Sequence, residues 1–406
     1  MAWARSRRSL ALAALACGGV LVAAVVALGP LDLVMRDRDR NMVVLGWDDD
    51  AGRLLVNEAI RAPLQQDGPY VRWTGDGRVE VLGTILHGGR YVPERRMLLA
   101  PASIDVVVDN PQRTRFRVPL RPPATPAPDA VAQPGRLLLV SDLDGDFDAF
   151  VALLRANGVI DAQLHWRFGT GQVAIAGDFM ADGPNIVPLL WLLYRLQDEA
   201  GRAGGRMHVV LGNHELLLLA GRFSGAPQRL FASRDKFFDG DNRRMFAADT
   251  VLGQWLRAQP VVVKVGDTLV VHGGVSEVFL AADLDLAEAN AIARRELDVD
   301  RRRVSDAAKP VIGRWGLPWY RGTAVAPDRG RTRGADPPAH LAAVLRRYGV
   351  RRVAIGHTRA PRVMLEQGGR VLRLDIDHLR AGQEGALFED GHGWRVDARG
   401  HREPLQ

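Results

Sequence analysis

From residue 137 onward, short apolar runs recur along the chain, and most are separated by longer segments of mixed character. Runs this short and this rich in valine, isoleucine and leucine are typical of buried β-strands. The runs are Leu137–Ser141, Val173–Gly177, Val209–Gly212, Leu269–Val271 and Val353–Gly356. Strands that alternate with helices predict an α/β fold, in which ligands bind beyond the carboxyl ends of the strands.

Several segments, most of them between the runs, have apolar residues at helical spacing, every three to four positions. These segments are Phe147–Asn157, Ile186–Ala200, Arg243–Gln259, Leu286–Leu297 and Ala339–Tyr348. The leucines of Ile186–Ala200 lie on a packed helix face, which indicates a core helix rather than a cofactor site.

Residues 41–120 have a different pattern, in which apolar and polar residues alternate as in half-buried strands. Arg78–Leu82 and Thr114–Val118 are two such stretches, and Gly75-Asp76-Gly77 is a hairpin signal. This pattern predicts a small β-rich module, whose role the sequence does not reveal. Residues 121–135 carry five prolines and almost no large apolar residue, which predicts an extended linker.

The N-terminal segment is basic at first and then apolar. Three arginines precede the uncharged stretch Leu10–Gly29, and about 20 apolar residues suffice to cross a bilayer. We predict a signal anchor or transmembrane segment within residues 1–40, with the rest of the chain outside a bacterial inner membrane. A cleaved secretory signal and a lipoprotein signal ending at Cys17 are alternatives. All three place the folded part of the chain in the periplasm.

The composition is ordinary for a globular protein, with 47% hydrophobic and 25% charged residues and a net charge of +7. A basic balance can indicate a nucleic-acid partner. However, only three of the 54 basic residues are lysines, and no basic stripe with interleaved aromatic residues is present. We therefore expect no nucleic-acid partner. The single cysteine, Cys17, excludes a thiolate metal site within the chain, so a bound ion must use nitrogen and oxygen ligands.

Each of the apolar runs is followed by a residue that can bind a metal ion. These residues are Asp142, Asp178, Asn213, His272 and His357. A single polar residue at a strand end is more often a helix cap or a satisfied core residue. Their recurrence after five strands predicts a metal site at the edge where the strands end.

The strongest motif is Gly212-Asn213-His214-Glu215 after a predicted strand. With Asp142–Asp146, Gly177-Asp178, His272–Gly274 and Gly356–Thr358, in this order and spacing, it resembles the calcineurin-like metallophosphoesterases, and among them the Shewanella-like branch of the phosphoprotein phosphatase group. The resemblance covers roughly residues 136 to 378. It implies a β-sandwich flanked by helices, with residues 136–406 as the catalytic domain.

The resemblance also implies a centre of two divalent ions. Two such ions neutralise the oxygens of a phosphate ester and make hydroxide available near neutral pH. By the resemblance, Asp178 bridges the ions, Asp142 and Asp144 complete the first, and Asn213, His272 and His357 complete the second. Oxygen ligands combined with imidazole suit Mn, Fe or Zn, and the sequence does not choose among them.

Two further residues receive roles from the same resemblance. His214 follows a ligand and is predicted to be the general acid that protonates the leaving oxygen. Trp319–Gly322 resembles a segment that supplies an arginine to the phosphate, so Arg321 would bind the non-bridging oxygens. A surface cluster of this composition can also be simple packing.

The chain departs from the family pattern at two places. Asp144 stands where Asp-x-His is usual, and a carboxylate there can still bind a cation. In the string Gly-Asp-x-x-Asp-Arg-Gly, Ala181 takes the acidic position and Asp182 takes the arginine position. If the loop slips by one residue, Asp182 reaches His214 as its orienting carboxylate. The missing arginine has no local replacement, which predicts slow turnover.

The leading hypothesis is a metal-dependent phosphoesterase that hydrolyses phosphate monoesters, either a phosphoprotein or a small aryl or alkyl phosphate. A phosphodiesterase or nucleotide pyrophosphohydrolase is the first alternative, because the same centre serves diesters. A degenerate member that binds a phosphorylated ligand without turnover is the second, motivated by Asp144, Ala181 and Asp182. The natural substrate, the metals and the oligomeric state are not encoded in any pattern recognised in the sequence.

Overall fold

The computed structural model describes residues 33–36, 42–48, 53–59, 64–122, 125–222, 227–324, 336–376 and 382–406. The chain divides into two compact units, Met1–Ala62 and Pro63–Gln406. The strands described in the first unit form an antiparallel sheet in the order β1-β2-β3. They are Leu33–Arg36 (β1), Met42–Asp48 (β2) and Arg53–Ala59 (β3).

The predicted membrane segment, Leu10–Gly29, lies outside the described residues. Within the ranges that the structure does describe, no helix combines the length and apolarity needed to span a bilayer.

The second unit begins with two small antiparallel sheets, β4-β5-β6 and β7-β8, and continues with two sheets of six strands. The strands are Asp67–Trp73 (β4), Arg78–His87 (β5), Arg90–Leu99 (β6), Ser103–Val107 (β7), Arg115–Pro119 (β8), Ala130–Val131 (β9), Arg136–Val140 (β10), Gln172–Ala176 (β11), Arg206–Val210 (β12), Val262–Val265 (β13), Thr268–Val271 (β14), Arg352–Ile355 (β15), Met364–Glu366 (β16), Val371–Arg373 (β17), Glu384–Glu389 (β18), His392–Asp397 (β19) and Arg402–Pro404 (β20).

Helices occupy most of the intervals between the strands of the two large sheets. They are Phe147–Ala156 (α1), Ile186–Arg202 (α2), Asn213–Leu219 (α3), Gln228–Phe237 (α4), Asn242–Met245 (α5), Val251–Arg257 (α6), Glu277–Ala281 (α7), Leu286–Glu296 (α8), Lys309–Ile312 (α9) and Pro338–Tyr348 (α10). The predicted mixed α/β fold is confirmed, and each apolar run of the sequence is a strand within one to three residues of its predicted bounds.

The two large sheets have the orders β12-β11-β10-β18-β19-β20 and β16-β17-β15-β14-β13-β9. Their facing side chains form one apolar cluster, to which Leu139 and Ala174 contribute from the first sheet and Val270 and Ala354 from the second. The helices cover the outer faces, where a larger apolar cluster includes Leu154 and other fully buried side chains. The result is two packed sheets flanked by helices.

Residues 64–119 are rich in strands, as the alternating pattern predicts. The hairpin signal at Gly75-Asp76-Gly77 lies in the turn between β4 and β5, where Trp73 pairs with Val79. The segment predicted as a linker contributes β9, which pairs in parallel with β13. The predicted domain boundaries at residues 40, 120 and 135 stay predictions.

One predicted helix is wrong. The segment Arg243–Gln259 is not continuous, because the chain leaves the helical conformation between α5 and α6. Thr250 begins α6 as its N-cap, and its hydroxyl accepts a hydrogen bond from the backbone N–H of Gly253 at 3.0 Å. The backbone of Asp249 and Thr250 instead pairs with β4, since Trp73 N donates to Asp249 O at 2.9 Å. A tertiary strand contact therefore overrides the local helical spacing.

Candidate metal centre

The strand directions bring the predicted ligands to one place. Strands β10, β11 and β12 are parallel neighbours, so Asp142, Asp178 and Asn213, which follow them, lie at the same edge of the first sheet. Strands β14 and β15 are parallel neighbours in the second sheet, and His272 and His357 follow them. Because the sheets pack face to face, the two edges meet.

The backbone at this edge is unusual. The φ angle is 49° at Asp142, 51° at Asp144, 51° at Asp178 and 60° at His357, in the left-handed region that non-glycine residues rarely adopt. Each such residue costs on the order of 1–3 kcal/mol and persists only where its surroundings hold it. Hydrogen bonds between loops do so here: Asp142 N donates to Gly177 O at 3.0 Å, and Asp144 N donates to Asp178 O at 3.0 Å.

Three ligand atoms, one each from Asp178, His272 and His357, lie within 4.8 Å of one another, and all three residues are buried. Asn213 joins them, because its Oδ1 is 2.9 Å from His272 Nε2. The same Nε2 is 3.0 Å from Asp178 Oδ2. The structure thus gathers the bridging residue and the three ligands predicted for the second ion.

Hydrogen bonds at the outer nitrogens orient the two imidazoles. His272 Nδ1 is 2.7 Å from the carbonyl oxygen of Ala176, which can only accept, so Nδ1 carries a proton and Nε2 points to the cluster. His357 Nε2 is 3.2 Å from the carbonyl oxygen of Trp319, which leaves Nδ1 for the cluster. Metal-binding histidines are commonly oriented in this way by a carbonyl or carboxylate.

Electrostatics at the cluster favour a cation. Burial opposes the ionisation of Asp178, but the imidazoles of His272 and His214 hold its pKa below the usual range. Burial also opposes protonation of His272, yet Asp178 and Asp142 raise the pKa of His272 to about 9. A proton on His272 Nε2 therefore occupies, in the metal-free protein, the place where a cation would sit between the same acceptors.

The residues predicted for the first ion, Asp142 and Asp144, lie close to this cluster but are less tightly grouped than the residues predicted for the second ion. Burial raises the pKa of Asp142 well above the usual range, and the charge of Asp375 adds to this effect. Burial and the charge of Asp178 raise the pKa of Asp144 to about 9. The Asp142 carboxylate accepts a hydrogen bond of 3.2 Å from the backbone N–H of His357. Carboxylates that repel one another in this way are satisfied by a divalent ion.

His214 lies at the open side of the cluster. Its backbone N–H donates to Asp178 Oδ1 at 3.0 Å, and its Nε2 is 3.9 Å from Asp178 Oδ2, with the side chain 36% exposed. Asp182 is exposed, and its charge raises the pKa of the Asp144 carboxyl. Among the described residues, no hydrogen bond or ion pair joins Asp182 to His214.

Arg321 lies beside His357, one of the ligands predicted for the second ion. Its guanidinium donates to the backbone carbonyl of His357. Burial and the charge of Arg321 lower the pKa of His357 well below its usual range. The predicted arginine is therefore at the centre, and a second arginine, Arg359, acts on the carboxyl groups of Asp144 and Asp375 from the exposed loop after His357.

Two acidic residues of the centre received no role from the sequence. Glu215 is fully buried, and its carboxylate accepts hydrogen bonds from the backbone N–H groups of Gly212 at 2.7 Å, Asp178 at 2.9 Å and Met180 at 3.0 Å. It ties the start of α3 to the loop that carries Asp178. Asp375, the other residue, follows β17, and the strand-end pattern that singled out the predicted ligands also applies to it.

The donor set fits divalent cations. Buried carboxylates with raised pKa values, an amide oxygen, and imidazoles held by carbonyl oxygens are the ligands that Mn, Fe or Zn accept. The second ion would be held by Asp178, Asn213, His272 and His357.

Comparisons with known proteins agree with this geometry. Shewanella-like protein phosphatase 1 of Plasmodium berghei (strain Anka) is 24% identical over 241 residues, 57% of this chain and 64% of the relative. The symmetrical bis(5'-nucleosyl)-tetraphosphatase of Neisseria meningitidis is 31% identical over 137 residues, 34% of this chain and 42% of the relative. The crystal structure of a cold-active protein-tyrosine phosphatase from a psychrophilic Shewanella has a TM-score of 0.74 at 26% identity, covering 84% of this chain and 100% of that chain.

These matches define the class first: over the matched residues the chain is similar to phosphoesterases and phosphatases. It belongs to the calcineurin-like phosphoesterase family, whose model matches residues 135–361, more than half of the chain. Members of this family use divalent metal ions, and the predicted resemblance is confirmed. The chain spans less than two thirds of the length of either curated relative.

Proposed function

We propose that the protein is a metal-dependent phosphomonoesterase acting on a phosphoprotein or a small aryl or alkyl phosphate. The observation that carries this proposal is the convergence of Asp178, Asn213, His272 and His357, with His214 at the open side. Two divalent ions, when bound there, would screen the phosphate oxygens and make hydroxide available near neutral pH. The likeness to a protein-tyrosine phosphatase over 84% of the chain supports a monoester substrate.

His214 supplies the proton for the leaving oxygen. Its backbone N–H donates to Asp178 Oδ1, and its partly exposed ring keeps Nε2 3.9 Å from Asp178 Oδ2. A ring held in this way is oriented by the carboxylate and can still reach a bound ester. Asp178 therefore takes the orienting part that Asp182 was predicted to play.

Arg321 and Arg359 bind the phosphate oxygens. Arg321 is anchored to the carbonyl oxygen of His357, and Arg359 lies two residues beyond His357 with an exposed side chain. Both guanidinium groups lower the pKa of Asp375, so both lie close to the carboxylate side of the centre. Arg359 thus offers a cation in place of the arginine that Asp182 displaces.

A second candidate function is hydrolysis of a nucleotide pyrophosphate or another diester. The match to a bis(5'-nucleosyl)-tetraphosphatase, at 31% identity over 137 residues, favours it. The two candidates differ in the number of ester or anhydride groups on the phosphorus that is attacked, so substrate comparison separates them.

The test uses the purified chain loaded with Mn²⁺ and three substrates: p-nitrophenyl phosphate, bis-p-nitrophenyl phosphate and a bis(5'-nucleosyl) tetraphosphate. We expect the monoester to have the highest kcat/KM. His272→Ala and Asp178→Asn should each lower it at least roughly 100-fold, because the metal shell is lost. His401→Ala, at an exposed turn, is the control. Higher turnover of the tetraphosphate would favour the second candidate, and phosphate binding without turnover of any ester would favour a binding protein.

We also propose that Leu10–Gly29 anchors the protein in a bacterial inner membrane, with the catalytic part in the periplasm or, if the segment is cleaved, secreted there. Membrane fractionation of the full chain, compared with a chain that lacks residues 1–32, tests this. Equal amounts of both chains in the soluble cytoplasmic fraction would contradict it.

A further inference from the structure

The position of Asp375 follows from the second sheet. Strand β17 runs parallel to β15, and the pairing of Ile355 with Arg373 puts Asp375 level with His357 at the edge where the ligands gather. The backbone there is held in place, because Ala360 N donates to the carbonyl oxygen of Asp375 at 2.8 Å. Asp375 therefore belongs to the same row of strand ends as the predicted ligands.

Asp375 is buried, with only 5% of the residue exposed. Among the residues that the structure describes, none makes a hydrogen bond or an ion pair with its carboxylate. A buried carboxylate without a partner is costly, and buried polar groups in proteins are almost always satisfied. Within the described part of the chain the carboxylate thus has no hydrogen-bonding or ion-pair partner, and a cation at the strand ends would satisfy it.

The register places Asp375 beside the first-ion residues, because His357, which is level with it, donates its backbone N–H to the Asp142 carboxylate at 3.2 Å. In agreement with this position, the charge of Asp375 raises the pKa of both Asp142 and Asp144. Asp142, Asp144, Asp178 and Asp375 thus form a set of mutually repelling carboxylates on one side of the cluster.

The family pattern usually places a histidine where this chain has Asp144, so the first ion lacks an imidazole. We propose that Asp375 is a ligand of the first divalent ion and that, with Asp142, Asp144 and Asp178, it gives this ion an all-carboxylate shell. This inference rests on the proposed two-metal function. A shell of oxygen ligands favours Mn²⁺ or Mg²⁺ over Zn²⁺ at the first position, whereas the imidazoles suit the second position to Zn²⁺, Fe²⁺ or Mn²⁺.

Metal content tests the inference independently of catalysis. The full chain is stripped with a chelator, reloaded with Mn²⁺ and analysed for bound metal and for Mn²⁺ affinity by calorimetry. We expect two ions per chain in the wild type and one in Asp375→Asn, with affinity for the lost ion lowered at least about 10-fold. Asp142→Asn is the positive control, and Asp306→Asn, which removes an exposed surface charge, is the negative control.

Thermal unfolding separates a ligand from a structural residue. Without metal, Asp375→Asn should unfold at the same temperature as the wild type or higher, because the substitution removes a repelling buried charge. With Mn²⁺, its stabilisation should be smaller than that of the wild type. A lower unfolding temperature without metal, or failure to fold, would assign a structural role and overturn the inference.

The two proposals fail in different ways. If His272→Ala loses Mn²⁺ while Asp375→Asn keeps two ions at wild-type affinity, the metal centre stands and the assignment of Asp375 falls. If the wild-type chain binds fewer than two ions, both the two-metal function and the assignment fall.

Discussion

The role of His214 can be isolated by changing the leaving group. A proton donor matters most when the departing oxygen is a poor leaving group, as in an alkyl phosphate. His214→Asn should lower kcat/KM for an alkyl phosphate by roughly 10²–10⁴-fold and lower it much less for p-nitrophenyl phosphate. Steady-state kinetics with the two esters measure this difference. His165→Asn, at an exposed loop histidine that pairs with Glu199 of α2, serves as control, and equal losses on both esters in His214→Asn would argue against proton donation.

His208 gives a prediction about stability and pH. Burial, assisted by Arg206, lowers the pKa of His208 from 6.5 to about 4. Between these values the unfolded chain binds a proton that the folded chain excludes, so the free energy of unfolding falls as the pH falls from 6.5 to about 4. Above pH 6.5 the group has no such effect. The full difference is worth roughly 3 kcal/mol.

His208→Gln removes this titration and keeps an amide that can bond to Gln172, the present partner of His208 Nε2 at 2.8 Å. Urea unfolding of both proteins at about pH 7.5 and about pH 5 measures the change. We expect the variant to lose less stability than the wild type on acidification. The same loss in both proteins would show that His208 is not the group responsible.

The sequence predicts the candidate ligand residues better than it predicts the residues that hold their loops in place. Asp178 and His272 stand out because each follows an apolar run, and that signal needs no tertiary knowledge. Asp375 carries the same signal after Val371–Leu374 but lies outside the motifs that define the resemblance. Glu215 could not be assigned a role, since its partners are backbone N–H groups that come together only in the folded chain.

At the scale of elements, the turn after β11 depends on Gly177. Its φ angle is +90°, and a Cβ atom there would lie 2.6 Å from His272 Nδ1. Gly177→Ala should therefore strain the turn and push the ring of His272 away from Asp178. We expect weaker Mn²⁺ binding at the second ion, at least about 10-fold by calorimetry, together with loss of stability.

Gly391→Ala is the matched control for that substitution. Gly391 also has a positive φ angle, +78°, but a Cβ atom there meets nothing within 4 Å. It should show the backbone strain alone, about 1 kcal/mol or somewhat more, with Mn²⁺ affinity unchanged. If both variants bind Mn²⁺ like the wild type, the close approach of Gly177 to His272 does not position the imidazole.

The element predictions succeed where local spacing and tertiary contacts agree. Strands β10, β11 and β12 are buried between layers, and their unbroken apolar runs reflect this directly. The helix prediction fails in the interval between α5 and α6, because the backbone of Asp249 pairs with β4, which is distant in sequence. Spacing along a segment cannot reveal such a pairing.

At the scale of the second unit, α2 joins the small sheets to the large ones. It packs against β12 on one side and against β4, β7 and β8 on the other, and nearly every residue from Ile186 to Leu196 is buried. A helix that is apolar all round must be covered on all sides. The sequence of α2 indicates that the helix must be covered. The prolines of residues 121–135 indicate only that the chain is stiff there, and they do not identify what covers the helix.

This arrangement predicts that the small sheets and the large sheets unfold together. Trp191 on α2 is fully buried, and its Nε1 donates to the carbonyl oxygen of Pro69 at 2.8 Å, which ties β4 to the helix. Native-state hydrogen exchange should give β5 and β11 the same free energy of opening.

Trp191→Ala should lower both values equally, by about 3–5 kcal/mol, because it leaves a cavity between the two parts. Leu99→Ala, at a side chain 75% exposed on β6, should change neither by more than about 0.5 kcal/mol. Lower protection of β5 than of β11 in the wild type would mean that the small sheets open independently of the catalytic core.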